Sequence, residues 1–410
     1  MAGRSRCRDC GRDAGPFDAR CECGGRVLFD YPYDHLDRWT PSARGLGRYA
    51  PLLPYYDAAV DMGEGATPLA ESRRIGPALG IRLYFKLESL NPTGSYKDRI
   101  ASVGAALARA HGRRALIATS SGNAGAAIAA YAARAGLAAV LVVPEHAPQA
   151  KLTQIAAYGA AIVAVRGALT GPAAVRRMFD AVESTAQTHG WLLMITAYRF
   201  APAAMEGVKT LALEIVETLS AAPDYVYVPV GGGGLLAATW RGLTDARALG
   251  WSATTPRLVA VQPEGCAPVV RSALGLPPLD GEVRTTVSGL QVADPPDGDL
   301  ALEAITASHG SAVMVSDAAV HAAQRALARD EGIFAEPAGA ASLAGLLAEA
   351  DAGKIARGSV AVCVVTGTGF KDLRSFPSTD EVPVLDVDRL DQLGAMAGRL
   401  LEERMTRSAV

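Results

Sequence analysis

The 410-residue sequence has no apolar run approaching the ~20 residues that cross a bilayer, because its longest apolar stretches are broken by Gly, Pro or charge. A membrane-spanning role is therefore not expected. The amino end, Met1-Ala-Gly-Arg-Ser-Arg-Cys7, carries basic residues with no apolar segment behind them, so no secretory signal is expected and the cytoplasm is the default compartment. Charge of one sign is also lacking. Lys and Arg (40) nearly offset Asp and Glu (42), and the net charge of −2 is interspersed along the chain, which argues against nucleic acid or an anionic membrane as partner. There is no repeat of solenoid period and no low-complexity tract. What is present is a chain long enough for two lobes, 50% hydrophobic and with 43 glycines, as expected of a globular α/β enzyme.

Cysteine is scarce, yet four of the six fall in Cys7-x-x-Cys10-Gly and Cys21-x-Cys23-Gly-Gly. In a reducing compartment such clustering favours a metal over disulfides. Two short knuckles ending in glycine can present four thiolates tetrahedrally to Zn²⁺, a closed and hence structural site. The second knuckle has one intervening residue where two are more usual, which leaves open a ribbon without metal or with redox disulfides. Cys266 and Cys363 lie among apolar neighbours and read as packing residues.

An aromatic and proline-rich stretch, Tyr31 to Tyr56, reads as an arm laid over a neighbouring surface. From about residue 63, β-rich runs alternate with alanine-rich helical runs. Strands are expected at Ile81–Lys86, Ala115–Thr119, Ala139–Val143, Ala161–Val165, Trp191–Ile195, Tyr225–Val230, Leu258–Val261 and Val360–Val365. Apolar character on both faces makes them buried and parallel. Helices are expected at Ala124–Ala135, Ala204–Leu219, Leu235–Gly242, Asp317–Asp330 and Pro337–Glu349, with a final one from Leu390 to Met405 that leaves no room for a separate regulatory domain. This alternation predicts a doubly wound α/β architecture with ligands at the carboxyl ends of strands.

Four motifs fall at such ends. Lys97 follows the turn Asn91-Pro-Thr-Gly94 and opens an apolar helix pattern (Ile100, Val103, Ala106, Leu107), so its stem is expected to be packed and its amine partly desolvated, as a nucleophile toward a carbonyl requires. Ser120-Ser121-Gly122-Asn123-Ala124 joins a strand to a helix, and its hydroxyls and N–H groups suit a carboxylate; it also reads as a plain strand-to-helix turn. Gly231-Gly232-Gly233-Gly234 lets backbone N–H groups close on a phosphate, or serves as a tight helix entry. It lacks the Gly-Lys-Ser/Thr ending of a P-loop, and no acidic residue ends the next strand as dinucleotide binding would require. Thr366-Gly-Thr-Gly369 offers a hydroxyl to a ring edge. An amine, a phosphate cradle, a carboxylate site and a contact for an aromatic nitrogen together are what pyridoxal phosphate needs to act on an amino acid.

The chain resembles the tryptophan-synthase-β-like (fold type II) pyridoxal-phosphate enzymes, and among them the threonine synthases. The likeness runs from Gly65-Ala-Thr67-Pro68-Leu69 to Lys371-Asp372 and is carried by Asn91-Pro-Thr-Gly-Ser-Tyr-Lys97-Asp-Arg99, Val261-Gln262-Pro-Glu264-Gly-Cys266-Ala-Pro268, Glu336-Pro337-Ala-Gly339-Ala-Ala-Ser342 and Thr366-Gly-Thr-Gly-Phe-Lys371-Asp372. The cysteine-bearing amino end is also similar to that of some threonine synthases. The resemblance implies two open-sheet domains with the active site between them: a large cofactor domain of residues 63–100 and 206–385 and a smaller, mobile substrate domain of 101–205. They would be flanked by a zinc-ribbon-like segment (1–30), an arm (31–62) and a carboxyl-terminal helix (386–410). It further implies that Lys97 forms the Schiff base and moves protons, Asn123 meets the cofactor's phenolic oxygen, Gly231 to Gly234 wrap the phosphate and Thr366 faces the pyridine nitrogen. Ser120, Ser121, Gly122, Asn123 and Ala124 would take the substrate carboxylate.

Two stretches depart from the family pattern. Threonine synthases usually carry an Asn-Ser pair and an arginine ahead of Glu-Gly-Gln-Lys-Thr, where this chain has Tyr198-Arg199 and Ala204 before Glu206-Gly207-Val208-Lys209-Thr210. Arg199 then either serves an anion from a shifted position or is solvated. The Ser120–Gly125 loop is nearer to that of serine and threonine ammonia-lyases. The expected function is that of a threonine synthase-like lyase acting on O-phosphohomoserine or a related activated hydroxy amino acid. The alternatives are a serine/threonine ammonia-lyase, a β-replacement synthase or, in another class, a non-catalytic binding protein of the same fold. The family's habit implies a homodimer.

Overall fold

The structure, a computed structural model, describes residues 3–33, 43–147, 149–168, 171–279, 282–373, 376 and 384–408. The chain divides into one unit ending at Leu373 and a second from Arg374 onward. In the second, a short 3₁₀ segment, Val387–Gln392, precedes the helix Leu393–Ser408, close to the expected one.

Three sheets organise the first unit. Strands β1 (Arg4–Cys7) and β2 (Val27–Asp30) form an antiparallel pair that carries the cysteine knuckles. The main sheet contains β3 (Leu69–Glu71), β4 (Arg82–Leu87), β9 (Tyr225–Pro229), β10 (Arg257–Pro263), β11 (Ser311–Val315) and β12 (Val360–Val365), in the order β11-β10-β9-β12-β4-β3. A smaller sheet has the order β7-β6-β5-β8, with β5 (Ala115–Thr119), β6 (Ala138–Pro144), β7 (Ala161–Val165) and β8 (Leu192–Leu193). Every pairing in these two sheets is parallel except that of β3 with β4. Runs such as Val-Ala-Val-Cys-Val-Val in β12 are buried on both faces, as helix-covered parallel strands require. Cys266 and Cys363 are wholly buried, as packing residues should be.

Several expectations need correction. Strand Trp191–Ile195 contracts to two residues, and β7, at the edge of its sheet, is largely exposed rather than buried. Both β3 and β11, also edge strands, are too short or too mixed in polarity to stand out in the sequence. The expected helix Ala204–Leu219 is three pieces: Pro202–Met205, a 3₁₀ turn Glu206–Lys209, and Thr210–Leu219. In a 3₁₀ turn residues i and i+3 eclipse. That brings Lys209 Nζ to 3.0 Å from Glu206 Oε2, with both side chains fully buried. Gly207 between them lies so close to the helix Lys97–Ala110 that a Cβ would stand 2.0 Å from the Arg99 carbonyl oxygen.

The described part of the arm packs on its own chain. Tyr33 Oη donates to Asp245 at 2.6 Å, Tyr49 Oη donates to Glu217 at 2.8 Å, and the Tyr31 ring lies 3.5 Å from Lys209 Nζ. Residues 34–42 of the expected arm lie outside the described residues.

Around the start of helix Lys97–Ala110 the chain buries four charges together. Arg99 bonds Glu88 through Nε and Nη2, both at 2.7 Å, and bonds Glu214 at 2.6 and 2.8 Å. Lys86 Nζ donates to Glu214 at 2.5 Å and to the Thr67 carbonyl at 2.7 Å. Removing one member of such a set strands its partners without countercharge, which costs about 3–5 kcal/mol. Arg99→Met is expected to lower the unfolding free energy by that amount, read as a lower urea midpoint at unchanged m-value; a loss below about 1 kcal/mol would mean that the carboxylates find water or neutralise.

Candidate active site

The strand orders place the site. In the main sheet the chain runs outward from β9 to β10 and β11 on one side and then crosses back to lay β12 on the other side of β9, next to β4, so the crevice beyond the carboxyl ends of β9 and β12 is a topological switch point, where open α/β sheets bind ligands. The glycine loop Gly231–Gly234 follows β9 and Thr366 follows β12, while Lys97 lies ten residues beyond the end of β4. In the smaller sheet the corresponding point lies between β5 and β8, followed by Ser120–Asn123 and by Thr196–Arg199.

Lys97 is the first residue of its helix, and its half-buried side chain joins the two sets of loops: Nζ donates to Thr196 Oγ1 at 2.8 Å. The ammonium also lies 4.7 Å from the centre of the Tyr96 ring. Backbone bonds fix the turn before it. Tyr96 N donates to the Thr366 carbonyl at 3.1 Å, and Thr368 N donates to the Gly94 carbonyl at 2.9 Å, so the segment after β12 is laced to the lysine turn. On its other side Glu336 N donates to the Gly367 carbonyl at 3.0 Å. Thr366 is thereby held between the lysine turn and the helix Pro337–Asp351, and is buried.

Asn123 opens the helix Asn123–Ala135, and its Nδ2 donates to Glu336 Oε1 at 2.9 Å and Oε2 at 3.1 Å. This bond brings the end of β5 to the Glu336–Thr368 region. Ser120, Ser121 and Gly122 are only partly buried, and Ser120 Oγ accepts from Gly122 N at 3.2 Å. Ala124 is buried in the first turn of the helix.

The glycine loop is set by its neighbours. Gly233 has φ +93, a left-handed conformation, and a Cβ there would meet the Asp297 carbonyl oxygen at 2.4 Å. Gly234 starts the 15-residue helix Gly234–Ala248. Among the described residues no acceptor takes the N–H of Gly231, Gly232 or Gly233, so the loop and the helix end beneath it present free donors to an anion.

The loop after β8 differs most from expectation. Tyr198, at the departing pair, is a core residue whose Oη donates to Glu206 at 3.2 Å, and Ala204 is equally buried. The Arg199 side chain is exposed, its guanidinium 5.8 Å from the Phe200 ring centre, and its backbone rather than its charge is bound, N donating to Asp297 Oδ1 at 3.0 Å. Sequence reasoning missed Thr196, Glu336 and Asp297 as site residues. Glu336 carried a signal, an acid at the N-cap of a helix with proline at the first turn, but Thr196 and Asp297 sit in stretches without pattern.

The profile of the pyridoxal-phosphate dependent enzymes matches residues 60–367, a span that includes every one of these elements. The chain belongs to this family. It is 38% identical to the threonine synthase of Mycobacterium bovis over 356 residues, covering 85% of this chain and 95% of the relative. It is 34% identical to the threonine synthase of Methanocaldococcus jannaschii over 396 residues, covering 92% and 95%. Among solved structures, a T.th. threonine deaminase superposes with a TM-score of 0.61 at 27% identity, over 74% of this chain and 92% of that one. The fold is accordingly the α/β fold type II architecture anticipated from the motifs.

In this pyridoxal-phosphate dependent enzyme the cysteine knuckles form a second cluster. The sulfurs of Cys7, Cys10, Cys21 and Cys23 all lie within 4.8 Å of one another, with Cys7–Cys23 and Cys10–Cys23 at 3.5 Å and Cys10–Cys21 at 3.6 Å. Tetrahedral coordination with Zn–S bonds of about 2.3 Å sets sulfurs about 3.8 Å apart. The cluster is therefore compatible in size and donor type with a four-thiolate metal centre. No helix among the described residues is long and apolar enough to cross a membrane.

Behind Lys97, Asp98 is buried and accepts bonds from both the N–H (2.6 Å) and the hydroxyl of Thr93, closing the Asn91–Gly94 turn. Burial raises its carboxyl from the ordinary 3.8 to about 7, against the opposing Thr93 bonds. A carboxyl whose folded pKa is raised lends its full stability below 3.8 and loses it as the pH climbs through about 7. The wild type is therefore expected to lose stability relative to Asp98→Asn across that window. Parallel pH–stability curves for the two proteins would show that Asp98 does not titrate there.

Proposed function

We propose that this chain is a threonine synthase-like lyase, in which bound pyridoxal phosphate stabilises negative charge at the substrate α-carbon. The observation that carries the reading is the convergence of Lys97, Thr366, Asn123 and the glycine loop at the carboxyl ends of β4, β12, β5 and β9. The residues fit the cofactor. Free N–H groups on a loop that excludes side chains suit its phosphate, Lys97 its aldehyde, Thr366 its ring nitrogen and Asn123 its phenolic oxygen. A hydroxyl rather than a carboxylate at the ring nitrogen leaves it less protonated, which suits elimination over transamination.

Each protein group then has a definable task. Thr196 holds the Lys97 amine at 2.8 Å, and a lysine amine placed at the α-carbon takes its proton and later returns one. Ser120, Ser121 and the first amides of helix Asn123–Ala135 would orient the substrate carboxylate. With O-phosphohomoserine the phosphate leaves and water adds at Cβ, giving threonine and inorganic phosphate in equal amounts. Appearance of both on incubation with that substrate is the expected result, lost in Lys97→Ala, which should also fail to retain cofactor after borohydride reduction. If neither product appears while the wild type retains reduced cofactor, the substrate assignment falls and the cofactor assignment stands.

A second reading, a serine/threonine ammonia-lyase or β-replacement enzyme, is favoured by the buried Tyr198 and exposed Arg199 where the threonine synthase pattern is broken. Release of 2-oxobutyrate from threonine would select the lyase. We also infer structural zinc at Cys7, Cys10, Cys21 and Cys23, a large domain of residues 63–100 and 206–385 beside a mobile domain of 101–205, and a cytoplasmic homodimer. Elemental analysis is expected to find one zinc per chain, lost in Cys21→Ser; equal zinc in both proteins would place the metal elsewhere.

A further inference from the structure

Asp297 is fully buried, and three separate parts of the chain close on it. Its Oδ2 accepts from Tyr198 N at 2.8 Å and its Oδ1 from Arg199 N at 3.0 Å, so it fixes the loop after β8. Its backbone N donates to the Gly232 carbonyl at 2.9 Å, and its carbonyl is the group that packs on Gly233. A Cβ on Gly234 would meet Oδ2 at 2.8 Å, so the carboxylate lies against the glycine loop as well. The third part is remote in sequence: Arg26 Nη1 donates to Oδ1 at 3.1 Å. Arg26 lies three residues after Cys23 and is tied to the knuckles by Arg8 N, which donates to its carbonyl at 2.9 Å. Its remaining donors reach the Pro296 carbonyl at 2.8 Å and Asp299 at 2.5 and 2.8 Å.

We propose that Arg26 and Asp297 are a positioning pair through which the cysteine knuckle holds the glycine loop and the loop after β8 in their working geometry. The physical reason is charge. A buried carboxylate bonded to two backbone N–H groups is stable where it is only while a cation stands beside it. Arg26 is the cation bonded to it, and its planar fork spans Asp297, Asp299 and the Pro296 carbonyl at once, so the segment ahead of helix Gly298–Ala307 is clamped from the knuckle side. Burial raises the Asp297 carboxyl above its usual range, with the Tyr198 and Arg199 amides and Arg26 opposing the rise. Without Arg26 the carboxylate is left to neutralise or move, and either change reaches Gly232 and Gly233 through the Asp297 backbone. Neither residue touches reacting atoms in this scheme.

The inference rests on the reading of Gly231–Gly234 as the phosphate cradle, and a pair of probes separates the two. The full-length chain, freed of cofactor, is titrated with pyridoxal phosphate and with pyridoxal, which lacks the phosphate but still reaches Lys97. The wild type is expected to prefer pyridoxal phosphate. In Arg26→Gln that preference should fall about tenfold or more, a loss of about 1.4 kcal/mol in phosphate binding, with pyridoxal affinity unchanged. Arg26→Lys, which keeps the charge and loses the fork, should fall between, and it supplies the same readout should Arg26→Gln not accumulate folded. Asp299→Asn, which removes only the more exposed partner, should keep the wild-type preference. A wild-type preference retained in Arg26→Gln, or in Arg26→Lys where only that variant folds, overturns the positioning role and leaves the cradle reading intact. A wild type that binds both probes equally overturns the cradle reading, and the positioning role with it.

Discussion

Arg99 is the point on which the site geometry depends. It is fully buried, and an unpaired guanidinium there would not be tolerated, so Glu88 and Glu214 must be present and aligned. With Lys86 the set is electrically neutral, two cations against two anions. Glu88 also accepts from Thr67 Oγ1 at 2.7 Å and from Asn91 Nδ2 at 2.9 Å, and Glu214 accepts from Ala66 N at 2.9 Å. The cluster thus ties β4, the turn at Asn91–Gly94, the start of helix Lys97–Ala110 and helix Thr210–Leu219 into one rigid support. Lys97, two residues from Arg99, has its helical turn determined by it. A buried ion set of this kind adds little net stability over apolar packing; its effect here is to join the segments on either side of Lys97 through paired charges.

A second buried set does the same for the other side. Glu206 is surrounded by Lys209, Arg241 and the Tyr198 hydroxyl; burial alone would raise its carboxyl, but Arg241 and Lys209 hold it down to about 2. Lys209 also lies 2.7 Å from Asp245, to which Tyr33 donates, and Arg241 reaches the Phe29 carbonyl. Phe29, Tyr31 and Tyr33 therefore cover this buried charged set. Gly207 lets the stretch Glu206–Thr210 cross the lysine helix at contact distance, which explains a glycine in a segment that otherwise reads as helix.

The elements that could be read from sequence are those whose chemistry is local. Lys97 after its turn, the four glycines ahead of a helix, Asn123 at a strand-to-helix junction and the paired cysteines each carry a pattern within ten residues. Central strands β4, β5, β9 and β12 were legible because burial on both faces leaves a continuous apolar run. Edge strands β3 and β11 were not, the first being three residues long and the second only partly buried, and at β8 the expected strand is three residues too long. The partners Thr196, Glu336 and Asp297 come to the candidate site through contacts with residues about 65 to 270 positions away, and no window of sequence contains such a pairing. Tyr198 shows the opposite error: a residue read as part of a substrate loop lies in the core, because a tyrosine there can bury its ring and still give its hydroxyl to Glu206.

Constraint is unequal between the segments around Lys97 and Gly233 and the stretches Ser120–Gly125 and Tyr198–Ala204, which depart from the family pattern. At Gly233 an added Cβ would meet the Asp297 carbonyl oxygen at 2.4 Å in a left-handed conformation, so substitution there is costly. Ser120–Gly122 is partly exposed, and its one side-chain bond within the loop is the 3.2 Å bond from Gly122 N to Ser120 Oγ. The Arg199 side chain is exposed, although Asp297 fixes its backbone. Side chains on such loops can change without disturbing the scaffold beneath, because the loop path is set by main-chain bonds that any residue supplies. The buried clusters thus fix the main-chain path around Lys97, while the partly exposed side chains of Ser120 and Ser121 and the exposed one of Arg199 are free to vary without disturbing it.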